Sequence, residues 1–126
     1  MTFHDDIIKL TSDNDNFRRE LVTGKHSQLT IMSIPAGGEI GEEVHHVDQL
    51  LVFVSGKGEA ILNDEIRPVE PNHLVFVPAG TKHNFKNTGQ SDMKLYTVYA
   101  PAEHLPGTVH KTKADADADE NEHHES

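Results

Sequence analysis

The chain has 126 residues, no cysteine and a formal net charge of −10. That length suits one domain with one modest core. The lack of cysteine excludes disulfides, thiolate catalysis and cysteine-based zinc or iron–sulfur sites, and the acidic balance does not match the basic footprint of a nucleic-acid binder.

Membrane and export signals are also missing from the sequence. No apolar run approaches the roughly 20 residues that a membrane helix needs. The first residues, M-T-F-H-D-D, lack the basic and then apolar regions of a signal peptide. We therefore expect a cytoplasmic protein with no membrane or nucleic-acid partner.

Residues 1–14 are the predicted N-terminal segment. Within it, residues 4–11 carry two acids ahead of the run I-I-K-L. This pattern predicts one or two helical turns, with Asp5 and Asp6 near the positive end of the helix dipole.

Residues 15–113 carry short apolar runs separated by turn residues, and this region is predicted to be the folded domain. The runs are 20–22, 28–34, 42–47, 50–54, 59–62, 65–69, 74–77, 83–87 and 95–99. Strand-length runs at this spacing predict an all-β fold, a sandwich or barrel, and they leave no room for the helical crossovers of a parallel sheet. Asn63 and Asp64 predict a two-residue hairpin turn, because both tolerate positive φ.

Residues 114–126 form an acidic tail. This segment has six acids, no Lys or Arg, and only alanine as an apolar residue. Dense like charge with low hydrophobicity predicts disorder. His123 and His124 offer a weak metal-binding pair, although a solvated tail is the simpler interpretation.

Two stretches concentrate the candidate chemistry. In the first, Gly41 to Gly56, the side chains of Glu43, His45 and Gln49 share one parity, so a strand would point all three the same way. The second, Pro78 to Asn87, contributes His83. One carboxylate, two imidazoles and one amide oxygen suit a divalent transition metal.

Each candidate ligand also has a simpler interpretation. His45 and His83 are possible polar residues on partly buried strands, and Gln49 is a possible interior hydrogen-bonding residue. Glu42 is an alternative to Glu43 as a ligand, but in a regular strand its side chain would point to the opposite face. The side chain of His46 would likewise point to the face opposite that of His45.

Outside these stretches, we expect mostly structural roles. Leu51, Phe53 and Phe85 share the ligands' parity and predict an apolar wall, as in a small-ligand pocket. A smaller expectation is that Tyr99 and His104 approach the same cavity. Surface positions are expected for His26, His73, His104 and His110. Arg18 and Arg19 are possible anion-binding residues, although a solvated strand end is the simpler interpretation.

The two stretches together resemble the cupin superfamily. Its second motif, G-x5-P-x-G-x2-H-x3-N, is matched at Pro78, Gly80, His83 and Asn87. Its first motif, G-x5-H-x-H-x3,4-E-x6-G, is matched with substitutions when counted back from Gly56. Over roughly residues 15–105, the chain looks like the small bacterial cupins of the mannose-6-phosphate isomerase-like type.

This resemblance implies a single antiparallel β-barrel of the double-stranded β-helix or jelly-roll kind. It implies a divalent metal ion (Mn, Fe, Zn or Ni) held by Glu43, His45, Gln49 and His83. Glu43 stands where the family has its first histidine, and Gln49 where it has its glutamate. The resemblance also implies a homodimer, whose partner strands would cover exposed sheet edges.

Two kinds of function remain open on the sequence. Two imidazoles and one carboxylate resemble the facial triad of non-haem iron enzymes, which favours a metal-dependent isomerase, lyase or dioxygenase acting on a small oxygenated metabolite. The alternative is a non-catalytic cupin that binds or senses a small ligand, or serves only through its dimer surface.

Overall fold

The structure is a computed structural model, and it describes residues 2–119. The helices and strands are α1 Ile7–Asp13, β1 Arg18–Thr23, β2 Gln28–Ile34, β3 Glu43–Val44, β4 Asp48–Ser55, β5 Gly58–Leu62, β6 Glu65–Val69, β7 Leu74–Val77, β8 Lys82–Asn87, β9 Met93–Ala100, β10 Val109–His110 and α2 Lys113–Ala118.

The strands form two antiparallel sheets. The larger has the order β10-β1-β2-β9-β4-β7, and the smaller has the order β3-β8-β5-β6. The predicted all-β jelly-roll fold is therefore confirmed. No helix in the described part of the chain is long and apolar enough to cross a membrane.

The inner face of the larger sheet changes character along its strands. Burial alternates with period two along β9, so one set of side chains faces inward. The cross-strand row Met32, Leu95 and Phe53 is apolar and buried. A row four residues further along β9 joins Gln28, Tyr99 and Gln49, which are buried but polar. One end of the interior is thus a hydrophobic core and the other a polar cavity lining.

The core joins the two sheets. Phe53 of β4 and Phe85 of β8 lie with ring centroids 5.7 Å apart, a separation typical of favourable aromatic pairs. Leu51 is fully buried beside them. The predicted apolar wall therefore exists, and it lies inside the main core.

Local turn chemistry behaves as predicted between β5 and β6. Asn63 and Asp64 have φ of 48° and 71°, the left-handed values that a two-residue hairpin requires. The predicted N-terminal turns form α1, where the Asp6 side chain caps the helix by accepting from the Lys9 amide at 3.0 Å.

The predicted strand 42–47 is wrong. Only Glu43 and Val44 form β3, which belongs to the smaller sheet, whereas β4 begins at Asp48 in the larger sheet. Residues 45–47 carry the chain from one sheet to the other. Glu43, His45 and Gln49 therefore do not share one regular strand.

The predicted disordered tail begins too early. Lys113 to Ala118 form α2, with the Thr112 side chain accepting from the Asp115 amide as an N-cap. Ala116 is buried in the core cluster, and His110 Nε2 lies 2.9 Å from Asp119 Oδ2. This short helix is held by packing that the composition did not reveal. Residues 120–126, including His123 and His124, lie outside the described residues.

Candidate metal centre

Three of the four predicted ligands converge in space. One ligand atom from each of Glu43, His45 and His83 lies within 4.8 Å of the other two. The two imidazoles are buried, while the Glu43 side chain is 40 % exposed. The cluster therefore offers two nitrogen donors and one carboxylate oxygen at the border between interior and solvent.

Two backbone features bring these ligands together. In the antiparallel pairing of β3 with β8, Glu43 lies directly opposite His83. The turn before β8 passes through Gly80, whose φ of 88° favours glycine, and the Gly80 amide donates to the carbonyl of His45 at 2.8 Å. The crossing loop and the second motif are thus fixed to each other.

The tautomer of His83 is fixed by its backbone contact. His83 Nδ1 lies 2.8 Å from the carbonyl oxygen of Thr81. Since a carbonyl only accepts, Nδ1 carries the proton and Nε2 keeps its lone pair. A backbone acceptor of this kind commonly orients metal-binding histidines. Burial lowers the pKa of His83, which favours the neutral, metal-binding form.

His45 has a different electrostatic environment. Its Nε2 lies 3.4 Å from Glu43 Oε1 and 3.9 Å from Glu103 Oε2. Burial acts to lower the pKa of His45, but the hydrogen bond and the negative charge of Glu43 outweigh it and raise the pKa. Burial likewise acts to raise the pKa of Glu43, yet its hydrogen bond with His45 leaves that pKa lowered. The contact therefore favours the charged form of each group.

Gln49 lies on the inner face of β4. Its Nε2 donates to Thr97 Oγ1 at 3.1 Å, and Thr97 in turn donates to the carbonyl of Leu50. Gln49 Oε1 is buried and has no hydrogen-bond partner. An orphaned buried acceptor is uncommon and costly, and it fits an oxygen that serves a cation.

The residues next to two of the candidate ligands have the exposure that their parity predicts. Glu42 and His46 are exposed, in contrast to the partly buried Glu43 and the buried His45. The histidines His26 and His73 are exposed as expected.

Two other histidines are buried, so their predicted surface positions are wrong. His104 is 9 % exposed, and its Nε2 lies 3.3 Å from the hydroxyl of buried Tyr99. His110 is 4 % exposed because β10 pairs with β1 and α2 closes over it. The Tyr99 ring lies 6.0 Å from that of His45, so Tyr99 does approach the metal centre.

The sequence did not predict the burial of two charged residues, Arg18 and Glu103. Arg18 was expected at a solvated strand end but is 7 % exposed, so that expectation is wrong. Glu103 follows Pro101, where strand periodicity has ended, and its side chain is only 11 % exposed beside His45. Strand periodicity gave no signal for Glu103.

Comparison with known proteins agrees with the fold and the motif stretches. Residues 30–99 match the model of the family described as cupin domain. The uncharacterised protein YrkC of Bacillus subtilis is 47 % identical over 122 residues, which cover 90 % of this chain. The chain spans 65 % of the length of YrkC.

Two further similarities are informative. The crystal structure of BH2720 from Bacillus halodurans superposes with a TM-score of 0.92 at 42 % identity, covering 94 % of this chain and 95 % of that one. A mannose-1-phosphate guanylyltransferase of Salmonella montevideo is 26 % identical over 80 residues, covering 63 % of this chain and 17 % of that protein.

Proposed function

Since this chain belongs to the cupin domain family, we propose that it is a metal-dependent enzyme acting on a small oxygenated metabolite. The convergence of Glu43, His45 and His83 within 4.8 Å carries this proposal. The reaction classes that suit such a centre are isomerase, lyase and dioxygenase chemistry. The metal would be Mn, Fe, Zn or Ni.

The residues present fit a divalent ion. His83 Nε2 is left as an acceptor by the Thr81 contact, and the buried Gln49 Oε1 has no other partner. Glu43, His45, His83 and Gln49 would hold the ion as one carboxylate, two imidazoles and one amide. This mixture of nitrogen and oxygen donors suits transition metals better than calcium.

A bound ion would supply Lewis-acid polarisation of a substrate oxygen or a lowered pKa for bound water. The chain itself supplies three things around it. Phe53, Phe85 and Leu51 belong to the buried core, and the Phe85 ring lies 6.2 Å from that of His83, so this packing would exclude water on that side of the site. Burial raises the pKa of Tyr99, so its hydroxyl stays protonated and can donate. Glu103 places a carboxylate 3.9 Å from His45 Nε2, where it can accept a substrate proton.

Finer assignments are part of the same proposal. The mannose-6-phosphate isomerase-like type rests on the motif match and on the low identity with the guanylyltransferase. A homodimer is supported by the edge strand β7, where Leu74 and Phe76 are 60 % and 51 % exposed. A large exposed apolar patch is a common mark of an interface.

The metal centre is tested by elemental analysis of variants purified side by side. Glu43→Ala and His83→Ala should lose bound metal, because each removes one ligand while most of the fold remains. Glu42→Ala is the matched control, since Glu42 is exposed on the opposite face, and it should keep parental metal content.

Turnover is tested separately, with metal-loaded protein and a panel of small hydroxy and oxo compounds. Equal metal in Glu43→Ala, His83→Ala and the parent would refute the metal centre. Metal binding without turnover of any compound would favour the non-catalytic alternative, a cupin that binds or senses a small ligand.

A further inference from the structure

We infer that Glu103 is a further residue of the metal centre, whose carboxylate strengthens the binding of a divalent cation, and that Gln28 is the positioning residue that holds it there. This inference rests on the proposed function and deepens it, because it adds a second carboxylate beside the cluster of Glu43, His45 and His83.

Glu103 reaches the centre from the segment between β9 and β10, outside the regular strands. Its side chain is only 11 % exposed, and its Oε2 lies 3.9 Å from His45 Nε2. The same imidazole nitrogen lies 3.4 Å from Glu43 Oε1. Two carboxylates, brought by segments distant in sequence, therefore approach one nitrogen of the cluster.

The distance from His45 indicates how this carboxylate acts. At 3.9 Å, Glu103 Oε2 and His45 Nε2 are too far apart for a hydrogen bond. Imidazole nitrogens bind zinc at about 2.1 Å, so an ion on His45 Nε2 would lie no more than about 6 Å from Glu103 Oε2. Opposite charges at that separation attract each other appreciably where water is partly excluded. Burial lowers the pKa of His83 and the charge of Glu103 opposes that shift, as expected of an anion that faces the centre.

Gln28 holds the backbone that carries this carboxylate. Gln28 is 1 % exposed and lies on β2, in the polar row of the cavity lining. Its Oε1 accepts from the amides of Glu103 and His104 at 3.2 and 3.0 Å, and its Nε2 donates to the carbonyl of His104 at 2.6 Å. The second Nε2 hydrogen goes to Thr23 Oγ1 at 2.8 Å. One buried side-chain amide therefore uses its full bonding capacity, and three of its four bonds fix residues 103 and 104.

A second anchor holds the other end of the same segment. Thr23 Oγ1 donates to Glu20 Oε2 at 2.7 Å, and Glu20 Oε1 accepts from the Gly107 amide at 2.9 Å. The Glu20 amide also donates to the carbonyl of Thr108 at 2.8 Å. A continuous chain of hydrogen bonds thus joins β1 and β2 to the segment on both sides of Glu103, which restricts the positions open to its carboxylate.

A purely structural role for these residues makes a different prediction. In that case Gln28 would only satisfy the backbone of residues 103 and 104, and Glu103 would not affect the affinity for metal. The two roles are separated by measuring metal affinity and stability on the same variants.

The first experiment tests the carboxylate. The full chain, stripped of metal, is titrated calorimetrically with Mn²⁺ at pH 8, which limits proton competition for the imidazoles. Glu103→Gln keeps the shape but removes the charge, and it should weaken Mn²⁺ binding about tenfold or more, the loss typical of groups that support metal ligands. Glu103→Asp keeps the charge on a shorter side chain and should restore part of the affinity. Glu42→Gln is the matched control, because Glu42 is an exposed carboxylate, and it should bind as the parent does. Parental affinity in Glu103→Gln would overturn the inference.

The second experiment tests whether Gln28 acts through Glu103. Gln28→Ala should weaken Mn²⁺ binding in the parent but cause no further loss in the Glu103→Gln background, whereas independent effects would add. Val69→Ala is the control for lost stability, because it truncates a buried core residue on β6 and should leave the affinity unchanged. Equal losses from Gln28→Ala in both backgrounds, or no loss in either, would overturn the positioning role.

A milder variant keeps the test valid if Gln28→Ala does not fold. Thr23→Val removes one of the four bonds of Gln28 with little change of shape. It should cause a smaller loss of affinity that also disappears in the Glu103→Gln background, and the same two outcomes would overturn the positioning role.

His83→Ala is titrated alongside, so that two failures are distinguishable. If the parent does not bind Mn²⁺, or binds it equally well as His83→Ala, the proposed metal centre fails. If Mn²⁺ binding requires His83 but is indifferent to Glu103→Gln, only the assignment of Glu103 fails.

Discussion

Lowering the pH should remove metal-dependent stabilisation, and His45 sets the size of the effect. The hydrogen bond to Glu43 outweighs burial and holds the pKa of His45 above its ordinary value of 6.5. Metal binding needs a neutral imidazole. Below that pKa, the ion must displace a proton from His45, at a cost of about 1.4 kcal/mol for each pH unit.

The magnitude follows from that one proton. With Mn²⁺ at about 100 times its Kd at pH 7.5, metal stabilises the folded state by about 2.7 kcal/mol. That corresponds to a rise of about 11 °C in Tm for a domain of this size. Between pH 6.5 and 5, competition at His45 alone weakens binding about thirtyfold. The same metal concentration then raises Tm by only about 3 °C. The pKa of His83 is lowered by burial, so His83 adds a smaller loss.

In metal-free protein, His45 and His83 change the stability with pH in opposite directions. The measured quantity must therefore be the difference in Tm between protein with metal and protein without it. The raised pKa of His45 stabilises metal-free protein at low pH and is lost as the pH rises through that pKa. The lowered pKa of His83 acts in the opposite direction. The metal-induced change in Tm, measured by differential scanning fluorimetry with Mn²⁺ or with chelator, isolates the metal term at each pH.

Two variants make the test specific. His45→Ala should abolish the metal-induced rise in Tm at pH 7.5, and His46→Ala should keep it, since His46 is exposed. An equal rise in Tm at pH 5 and 7.5, or a full rise in His45→Ala, would refute the reasoning.

Two further predictions concern stability and assembly. Gly56→Ala should lower the free energy of unfolding in a urea titration by more than Gly37→Ala. Both glycines have a φ of 78°, and an alanine in that conformation costs about 1–3 kcal/mol. Of the two, only Gly56 would place the new Cβ against backbone, 2.6 Å from the carbonyl oxygen of Asp92. Equal losses of stability in the two variants would contradict this account. Phe76→Lys should convert the proposed homodimer to a monomer by light scattering, and a monomeric parent would contradict the dimer itself.

The sequence was sufficient for features that depend on local chemistry. The Asn63–Asp64 hairpin needed only two residues that tolerate positive φ, and both adopt it. The parity of β4 placed Leu51 and Phe53 inside, because alternation holds wherever one face of a strand is buried. The position of His83 followed from the second motif, whose turn and strand are contiguous in the chain.

The candidate site was predicted for a partly incorrect reason. Glu43 and His45 were placed on one continuous strand with Gln49, but the chain crosses between sheets at residues 45–47. Parity still separated Glu43 from Glu42, because β3 is a true strand at that point. Parity does not predict the orientation of His45, because His45 lies in the loop that crosses between the sheets. That orientation depends on the hydrogen bond from the Gly80 amide to the His45 carbonyl.

Arg18 and Glu103 were decided by tertiary structure alone. Arg18 opens β1, and the pairing of that strand with β2 and β10 turns its guanidinium inward. Glu103 comes after the end of β9, and its burial depends on how the following segment lies over the cavity. Local patterns indicate which residues can be buried together, but the charges that meet in a cavity come from segments distant in sequence. The sequence by itself therefore identified the residue types of the candidate metal centre, and only the fold decided that Arg18 and Glu103 are largely buried.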